Sequence, residues 1–292
     1  MKTGSYTYAG LLKAGTDYIR QEAISRTAVS DAANDAWYLM EHVFGMNRTE
    51  YYMIMNGQIG EMKQETADRY LELVKRRAAG EPLQYITGIA SFMGLDFYVT
   101  PSVLIPRQDT EILAQKALDL MQNGYNVLDM CSGSGCIALA LAYHFKGITC
   151  TGADISGEAI SIAEKNRDRL MLPQVGFVRS DLFENISADY DMIVSNPPYI
   201  RTADIQGLDP EVKDHEPVLA LDGSDDGLAF YRRLAAQAAD HLKAGGCLIM
   251  ETGMDQADDV CSILKASGYK DTEVIKDLAG LDRVVLCRSE KR

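Results

Sequence analysis

The stretch VSNPPYI, residues 194–200, carries residue types that could hold a planar NH2 group. Such a nitrogen must pyramidalise before it attacks carbon, and acceptors aimed at its N–H bonds favour that change. The side-chain carbonyl of Asn196 and the backbone carbonyl of Pro197 could supply two acceptors. Two prolines fix the backbone, and the ring of Tyr199, rather than its hydroxyl, could pack against the planar group. We therefore predict an NH2 clamp at Asn196, Pro197, Pro198 and Tyr199.

Parallel strands are the elements that would position this clamp. The run DYDMIV directly before it has the composition of a buried strand, and the runs NVLDM, ITCTGAD and VGFVRSD come earlier in the chain. Helical patterns at 109–123, 134–145, 156–171, 226–243 and 254–267 alternate with these runs and with GCLIMET. Strands that alternate with helices predict a mostly parallel sheet covered on both faces. The closing DTEVIKDLAGLDRVVLCR predicts a hairpin that adds one antiparallel strand.

Two further motifs follow the ends of predicted strands. In VLDMCSGSGCIALALA, residues 127–142, Gly133 and Gly135 permit a tight turn and the close approach of a ligand. The third glycine of the dinucleotide pattern is missing, so this turn alone predicts only a strand–turn–helix corner. Asp154 ends the next strand about 20 residues later, where a carboxylate can accept hydrogen bonds from a ribose diol. The alternative is that Asp154 caps the helix that begins near Ser156.

The third strand ends at Asp181, which could accept a hydrogen bond from an adenine amino group or could cap the following turn. Leu182 and Phe183 could cover the ring. Consecutive strand ends thus carry residues 129–135, Asp154, Asp181 and the clamp. In parallel sheets ligands bind beyond the carboxyl ends of the strands, so we predict that these groups form one site.

The first eighty residues predict a small helical bundle. Apolar residues recur at helical spacing in 7–22, 30–46 and 61–80, with Ser30 as a candidate N-cap and Trp37 in the core. The basic run KRR near the end of the third helix predicts a solvated helix end.

The segment 81–108 differs in composition from the bundle. It is rich in β-branched and aromatic residues and punctuated by glycine and proline, which predicts a hairpin-like connector.

Composition restricts the class of protein. The chain has 292 residues, 47% hydrophobic, and a net charge of −13, almost all of it beyond residue 90. That charge opposes stable binding to a nucleic-acid backbone. No apolar run has the length of a membrane span and no signal peptide is recognisable, so we expect a cytoplasmic protein without membrane attachment. Six scattered cysteines lack disulfide or zinc spacing, which predicts reduced, structural thiols and no metal site.

Taken together, VLDMCSGSGCIALAL, GADIS and SNPPYI resemble a class I S-adenosylmethionine-dependent methyltransferase. The stretches EPLQYITGIASFMGLDFYVTPSVLIPRQDTEIL and HEPVLALDGSDDGLAFYRRL resemble the release factor glutamine methyltransferase family. The resemblance implies an N-terminal helical substrate-binding domain at 1–80, a β-hairpin-like connector at 81–108 and a Rossmann-like domain at 109–292. The expected sheet is mostly parallel, with seven strands of which one is antiparallel.

The resemblance also implies a reaction, in which S-adenosylmethionine methylates the glutamine amide of the Gly-Gly-Gln motif in peptide chain release factors. Asn196, Pro197 and Tyr199 are the expected catalytic residues. The expected cofactor-binding residues are Asp129, Cys131, Ser132, Gly133, Ser134, Gly135, Asp154, Asp181, Leu182 and Asn196.

The chain departs from the family pattern in two places. Cys131 stands where the family usually has glycine, and RQDTE at 107–111 stands where it has RPETE. Three alternatives stay open: a glutamine methyltransferase acting on a ribosomal protein, an adenine-amino methyltransferase acting on nucleic acid, and a non-catalytic S-adenosylmethionine sensor.

Overall fold

The computed structural model describes residues 6–289, and the chain divides into two compact units. Unit 1 consists of Met1–Gly88 and Gly207–His215, and unit 2 of Ile89–Gln206 and Glu216–Arg292. Unit 1 therefore runs past residue 80 and takes in a segment that the sequence pattern assigned to the C-terminal domain.

The helices and strands of the described residues are numbered in chain order. The helices are α1 (Tyr8–Glu22), α2 (Arg26–Phe44), α3 (Arg48–Ile54), α4 (Gln64–Ala78), α5 (Leu83–Thr87), α6 (Thr110–Leu120), α7 (Cys136–His144), α8 (Gly157–Leu170), α9 (Pro210–Lys213), α10 (Ala229–His241) and α11 (Ala257–Ala266). The strands are β1 (Ile89–Phe92), β2 (Leu95–Tyr98), β3 (Asn126–Met130), β4 (Thr149–Asp154), β5 (Val175–Arg179), β6 (Tyr190–Ser195), β7 (Leu242–Glu251), β8 (Lys270–Lys276) and β9 (Asp282–Arg288).

Unit 1 is helical, as the sequence predicts, but α2 begins earlier than expected. Ser25 is its N-cap and accepts a hydrogen bond from the backbone N–H of Ala28, whereas Ser30 lies inside the helix. Trp37 is buried in the core of the unit, which confirms its predicted place. Two short helices, α3 and α5, carry too few residues for their periodicity to be recognised in the sequence.

A buried arginine joins the two chain segments of unit 1. Arg77 is only 2% exposed, and its guanidinium donates to Asp35 (Nε–Oδ2 2.7 Å) and pairs with Glu211 (Nη1–Oε2 2.9 Å). The hydroxyl of Ser25 also donates to Glu211, at 2.8 Å. The prediction of a solvated helix end is thus wrong for this arginine, because two carboxylates compensate its burial.

Unit 2 contains the predicted sheet. Its seven strands lie in the order β5-β4-β3-β6-β7-β9-β8. Strands β3 to β7 are parallel, and β9 is antiparallel to both of its neighbours. This confirms a mostly parallel, Rossmann-like sheet with one reversed strand. The predicted connector contains the β1–β2 hairpin, which is preceded by α5.

Helices cover both faces of the sheet. Because side chains alternate along a strand, Val127 packs into the apolar cluster on one face, with α6 and α7, and Leu128 into the cluster on the other, with α10 and α11. Burial on both faces explains why the strands of this sheet read as continuous apolar runs. Among residues 6–289, no helix is long and apolar enough to cross a membrane.

Candidate active site

The carboxyl ends of four neighbouring parallel strands surround one cleft in unit 2. The residues that follow each strand line it: Met130, Cys131 and Gly133 after β3, Ala153 to Ser156 at β4, Ser180 to Leu182 after β5, and Asn196 and Pro198 after β6. The structure therefore brings together the strand ends that the sequence analysis singled out. The other walls come from Ser102–Leu104, from Pro217, Leu219 and Ala220, and from Phe230 and Arg233 on α10.

The two glycines of the turn have different roles. Gly133 has φ +55°, and apart from its two chain neighbours no other described residue has an atom within 4 Å of the place where a Cβ would stand, so the backbone is open to the cleft. Gly135 has φ +78° and caps α7, and a Cβ there would lie 2.8 Å from the ring of Phe177. The first glycine thus admits a ligand and the second lets the turn pack against its own sheet.

Asn166 on α8 holds the same turn in place through hydrogen bonds of its side-chain amide. Its side-chain Nδ2 donates to the carbonyls of Ser134 (2.9 Å) and Tyr98 (3.0 Å), and its Oδ1 accepts from the backbone N–H of Tyr98 (2.7 Å). The side chain is fully buried. A preorganised turn follows from these bonds, since its backbone is held before any ligand arrives.

Asp129 lies beneath the turn and does not line the cleft. Its Oδ2 accepts hydrogen bonds from the Ser132 hydroxyl (2.6 Å) and the backbone N–H of Ala138 (3.1 Å). Its Oδ1 is buried without a partner among the described residues. Burial raises the pKa of Asp129 to about 7. The carboxyl group thus shapes the turn and the start of α7, as do Ser132, Ser134 and Gly135, none of which lines the cleft.

Asp154 faces the cleft and organises the turn as well. Its Oδ2 accepts from the backbone N–H of Gly133 (2.8 Å) and its Oδ1 from that of Ser156 (2.9 Å). Ser156, not Asp154, supplies the side-chain cap of α8. A carboxylate has about four acceptor positions, so Asp154 keeps capacity for a ligand. Burial raises its pKa, although these backbone bonds act in the opposite direction.

Beyond β5, two of the three expected residues line the cleft. Asp181 lines it, but its Oδ1 is paired with Arg233 of α10 at 2.7 Å. Leu182 lines it too, with φ +48°. Phe183 instead stacks on His241, 4.8 Å between ring centres, in the core. Phe230 supplies the aromatic ring of the cleft, so the predicted cover by Phe183 is wrong.

Cys131 has φ +62°, in the left-handed region that favours glycine. A side chain in this conformation costs roughly 1–2 kcal/mol, which explains why a glycine suits the position. Burial raises the pKa of the Cys131 thiol far above its usual range. The group in the cleft wall is therefore a neutral, compact SH and not a thiolate.

Asn196 lines the cleft, and its amide is held from behind. Its Nδ2 donates to Thr110 Oγ1 at 3.1 Å. Thr110 is the first residue of α6 and only 2% exposed. Pro197 and Pro198 are buried, and Pro198 also lines the cleft. The amide oxygen of Asn196 is thus the end left for a ligand.

Tyr199 is used differently from the prediction. Its hydroxyl donates to Glu251 Oε1 at 3.2 Å, and its ring packs against the core on the α10 face. Glu251 ends β7, is 1% exposed, and has its pKa raised by burial to about 7. Tyr199 does not line the cleft. Its hydroxyl, which the sequence analysis set aside, is the part that makes a polar contact.

The loop DGSDDG, residues 222–227, packs against the backbone of the clamp at Tyr199. A Cβ on Gly223 would lie 2.8 Å from the Cα of Tyr199, and one on Gly227 would lie 2.4 Å from the Tyr199 carbonyl oxygen. Gln256 donates to the same carbonyl, at 3.0 Å. The glycines of this loop thus allow close packing on the clamp backbone.

Several contributors had no recognisable signal in the sequence. Thr110 and Glu251 lie in an ordinary helix start and strand end, and Phe230 and Arg233 lie on α10 among other polar and apolar residues.

The geometry of the site agrees with the resemblance of the sequence to methyltransferases. A protein-family model described as the PrmC N-terminal domain matches residues 11–88, and a second, described as the methyltransferase small domain, matches residues 108–208. A release factor glutamine methyltransferase of Geobacter sulfurreducens is 41% identical over 263 residues, which cover 90% of this chain and 91% of that protein. The chain belongs to the release factor glutamine methyltransferase family. A second release factor glutamine methyltransferase, of Clostridium acetobutylicum, is 38% identical and covers 92% of this chain and 97% of that protein.

Two solved structures are similar to parts of this family member. A protein-(glutamine-N5) methyltransferase (release factor-specific) from Alicyclobacillus acidocaldarius is 32% identical and covers 67% of this chain and 100% of that chain, with a TM-score of 0.40. A methyltransferase from Pyrococcus furiosus is 17% identical, with a TM-score of 0.53, over 77% of this chain and 100% of that chain. Of the two, the likeness to the Pyrococcus furiosus protein supports the fold, and nothing beyond the fold.

Proposed function

We propose that this protein transfers a methyl group from S-adenosylmethionine to the side-chain amide nitrogen of the glutamine in the Gly-Gly-Gln motif of peptide chain release factors. Relatives that align with nine-tenths of the chain are named release factor glutamine methyltransferases, which supports the release factor and its glutamine as the acceptor. The observation that carries the proposal is that Asn196 lines the same cleft as Gly133 and Asp154. Asn196 and Pro198 of the clamp thus share one cavity with the groups suited to a nucleoside.

The residues present fit the cofactor. Asp154 has acceptor positions left for a ribose diol, and the exposed backbone at Gly133 allows a polar ligand to approach closely. Leu182 and Phe230 offer an apolar wall for an adenine ring. S-adenosylmethionine supplies an electrophilic methyl group on a sulfonium.

Asn196 and Pro197 act on the acceptor glutamine. The Asn196 Oδ1 and the Pro197 carbonyl accept hydrogen bonds from the two N–H groups of its amide. As the amide nitrogen bonds to the methyl carbon, it pyramidalises and gains positive charge, which these acceptors stabilise without reorganising. The electron pair of the broken carbon–sulfur bond stays on sulfur. The methylated nitrogen then loses one proton readily, so no strong general base is needed.

The helical unit 1 would provide selectivity for a folded partner. A single glutamine side chain buries little surface, and the cost of association must be met by further contacts. A release factor would be encountered in the cytoplasm, where translation ends.

The test is methyl transfer from labelled cofactor to three purified acceptors: a release factor, a ribosomal protein and DNA. We expect label on the release factor alone, and peptide mass spectrometry should place it on the glutamine of Gly-Gly-Gln. A release factor with that glutamine changed to alanine is the matched acceptor control. Label on the ribosomal protein or DNA, with none on the release factor, would overturn the proposal.

A further inference from the structure

Two charged side chains meet in the wall of the cleft, one from the turn after β5 and one from α10. Arg233 Nη2 donates to Asp181 Oδ1 at 2.7 Å, and both residues line the cleft. The second carboxylate oxygen, Asp181 Oδ2, has no hydrogen-bond partner among residues 6–289. Each carboxylate oxygen can accept hydrogen bonds, so Oδ2 is available to a ligand.

We propose that Arg233 is a positioning residue that holds the Asp181 carboxylate where Oδ2 accepts a hydrogen bond from the amino group of adenine. The pair then makes the site select adenine over a base that carries a carbonyl oxygen in place of that amino group. This inference rests on the proposed function, because it takes the nucleoside part of S-adenosylmethionine as the ligand of the cleft.

The backbone of the turn that carries Asp181 is fixed without Arg233. The Ser180 hydroxyl donates to the carbonyl of Leu182 (2.6 Å) and accepts from the backbone N–H of Asn185 (2.9 Å). The side chain of Asp181 is therefore the part of this turn whose direction is still to be set. Within residues 6–289, Arg233 is the group that hydrogen-bonds to that side chain.

Without this partner, the carboxylate would turn towards water, because hydration strongly favours a charged group. A charge-assisted hydrogen bond to one oxygen fixes the side-chain rotamer, and with it the direction of the other oxygen. The side chains of Arg233 and Asp181 are 42% and 35% exposed, and exposed ion pairs add little to stability. The consequence of this pair is therefore the orientation of Asp181 and not the stability of the fold.

The neighbours of the pair suit a purine. Phe230 and Arg233 lie three residues apart on α10, hence on one face of that helix, and both line the cleft. Leu182 follows Asp181 directly and lines the cleft as well. The turn and the helix thus each contribute one apolar and one charged residue. The apolar residues suit the faces of a flat ring, and the Asp181 carboxylate suits a donor on its edge.

The test compares two ligands that have no methyl group to transfer. S-adenosylhomocysteine carries the adenine amino group, and S-inosylhomocysteine carries a carbonyl oxygen in its place, which would face the carboxylate oxygen with no hydrogen between them. Calorimetric titration gives both dissociation constants, and their ratio is the base preference. A hydrogen bond to a charged group is worth about 10- to 150-fold in affinity. Since the pair is partly exposed, we expect a wild-type preference of about 10-fold.

Arg233→Met is the decisive variant, because it keeps an apolar stem and removes the guanidinium. It should weaken S-adenosylhomocysteine binding by about 10-fold, leave S-inosylhomocysteine binding as tight as before or tighter, and so abolish the preference. Asp181→Ala should abolish it too. Adding Arg233→Met to Asp181→Ala should not weaken S-adenosylhomocysteine binding further, because Arg233 acts through Asp181.

The matched control is Arg232→Met on the same helix. Arg232 is exposed and pairs with Asp226 (Nη2–Oδ2 2.5 Å), and it does not line the cleft. This variant should keep the wild-type ratio of dissociation constants. Melting temperatures of all variants show that the titrated proteins are folded.

A ratio is the right readout because a structural role for Arg233 would not change it. An equal loss of affinity for both ligands in Arg233→Met would mean that Arg233 supports the fold or binds another part of the ligand. That result, an unchanged preference in this variant, or a wild type without preference would each overturn the inference and leave methyl transfer to the release factor untouched. If the wild type binds neither ligand and methylates no acceptor, the proposed function fails and this inference fails with it.

Discussion

Asp129 should make unit 2 less stable at alkaline pH than at mildly acidic pH. It is fully buried beneath the glycine turn, one of its oxygens has no partner within residues 6–289, and its pKa is raised from 3.8 to about 7. One pKa unit corresponds to about 1.4 kcal/mol, so the ionised form is disfavoured by up to about 4 kcal/mol. We expect ionisation of Asp129 to lower the free energy of unfolding at alkaline pH by about 2–4 kcal/mol in all, since relaxation reduces such penalties.

The sign follows from proton binding in the two states. Between pH 3.8 and about 7, the unfolded chain has already lost the Asp129 proton while the folded chain keeps it. The free energy of unfolding therefore falls as pH rises through this window and levels off above it. Glu251, whose pKa is raised from 4.5 to about 7, acts in the same direction.

The assay compares wild type with Asp129→Asn by urea unfolding at pH 5 and pH 8 without ligand. Asparagine keeps an acceptor for Ser132 and the Ala138 N–H but cannot ionise. All six cysteines lie in unit 2 and five are buried, so thiol accessibility reports on that unit, whereas the only tryptophan, Trp37, reports on unit 1. The separate readouts matter because two units need not unfold in one step.

The decisive quantity is the stability of Asp129→Asn minus that of wild type. It should be more favourable at pH 8 than at pH 5 by about 1–3 kcal/mol, because the unfolded chain has already lost most of its Asp129 proton at pH 5. Asp119→Asn, at an exposed carboxylate on α6, is the control and should give the same difference at both pH values. An equal difference for Asp129→Asn at the two pH values, or one that favours pH 5, would refute the reasoning.

Three further predictions concern the cofactor, the clamp and unit 1. Asp154→Ala should weaken S-adenosylmethionine binding by about 10- to 150-fold, the value of a hydrogen bond to a charged group; unchanged affinity in calorimetric titration of folded protein would remove Asp154 from the cofactor site. Asn196→Ala should lower the single-turnover rate of methylation by about 10²–10³-fold with little change in cofactor affinity. If instead thermal stability and cofactor affinity fall together, and saturating cofactor restores the rate, then Asn196 only shapes its loop. Arg77→Met should destabilise unit 1 by about 3–5 kcal/mol in Trp37 fluorescence, because Asp35 and Glu211 would be left without their cation. A loss no larger than that of Arg69→Met, at an exposed arginine on α4 of the same unit, would contradict the role of the buried pair.

The sheet and its functional edge were predictable because each depends on local sequence. Strand β3 is an apolar run that ends in a turn of small residues, and β6 ends in a proline pair, so both strand ends are marked in the sequence. The parallel arrangement then requires Asp154 and Asn196 to meet at one edge. That reasoning needs only strand direction, which alternating helices dictate.

Groups that act through long-range contacts were not predictable. Thr110 lies 86 positions from Asn196 and Glu251 lies 52 from Tyr199, and nothing local distinguishes a buried glutamate at a strand end from an exposed one. Arg77 looked solvated for the same reason, since its partner Glu211 comes from a distant segment. The sequence shows that Asp129 lies near the end of a strand, but not which way its side chain points. Only the fold shows that the side chain lies beneath the turn and outside the cleft.

The segment Gly207–His215 makes unit 1 a discontinuous domain, with consequences for dissecting the protein. A cut between Gly88 and Ile89 would release no complete domain, because Glu211 would stay with the larger fragment while Arg77 and Ser25 left with the smaller. Each fragment would carry buried charges whose partners lie on the other. The same complementarity would let the two pieces reassociate when they are produced together, with 207–215 as the recognition element. Deleting unit 1 cleanly would therefore require two excisions, the second of them in the chain that follows the clamp.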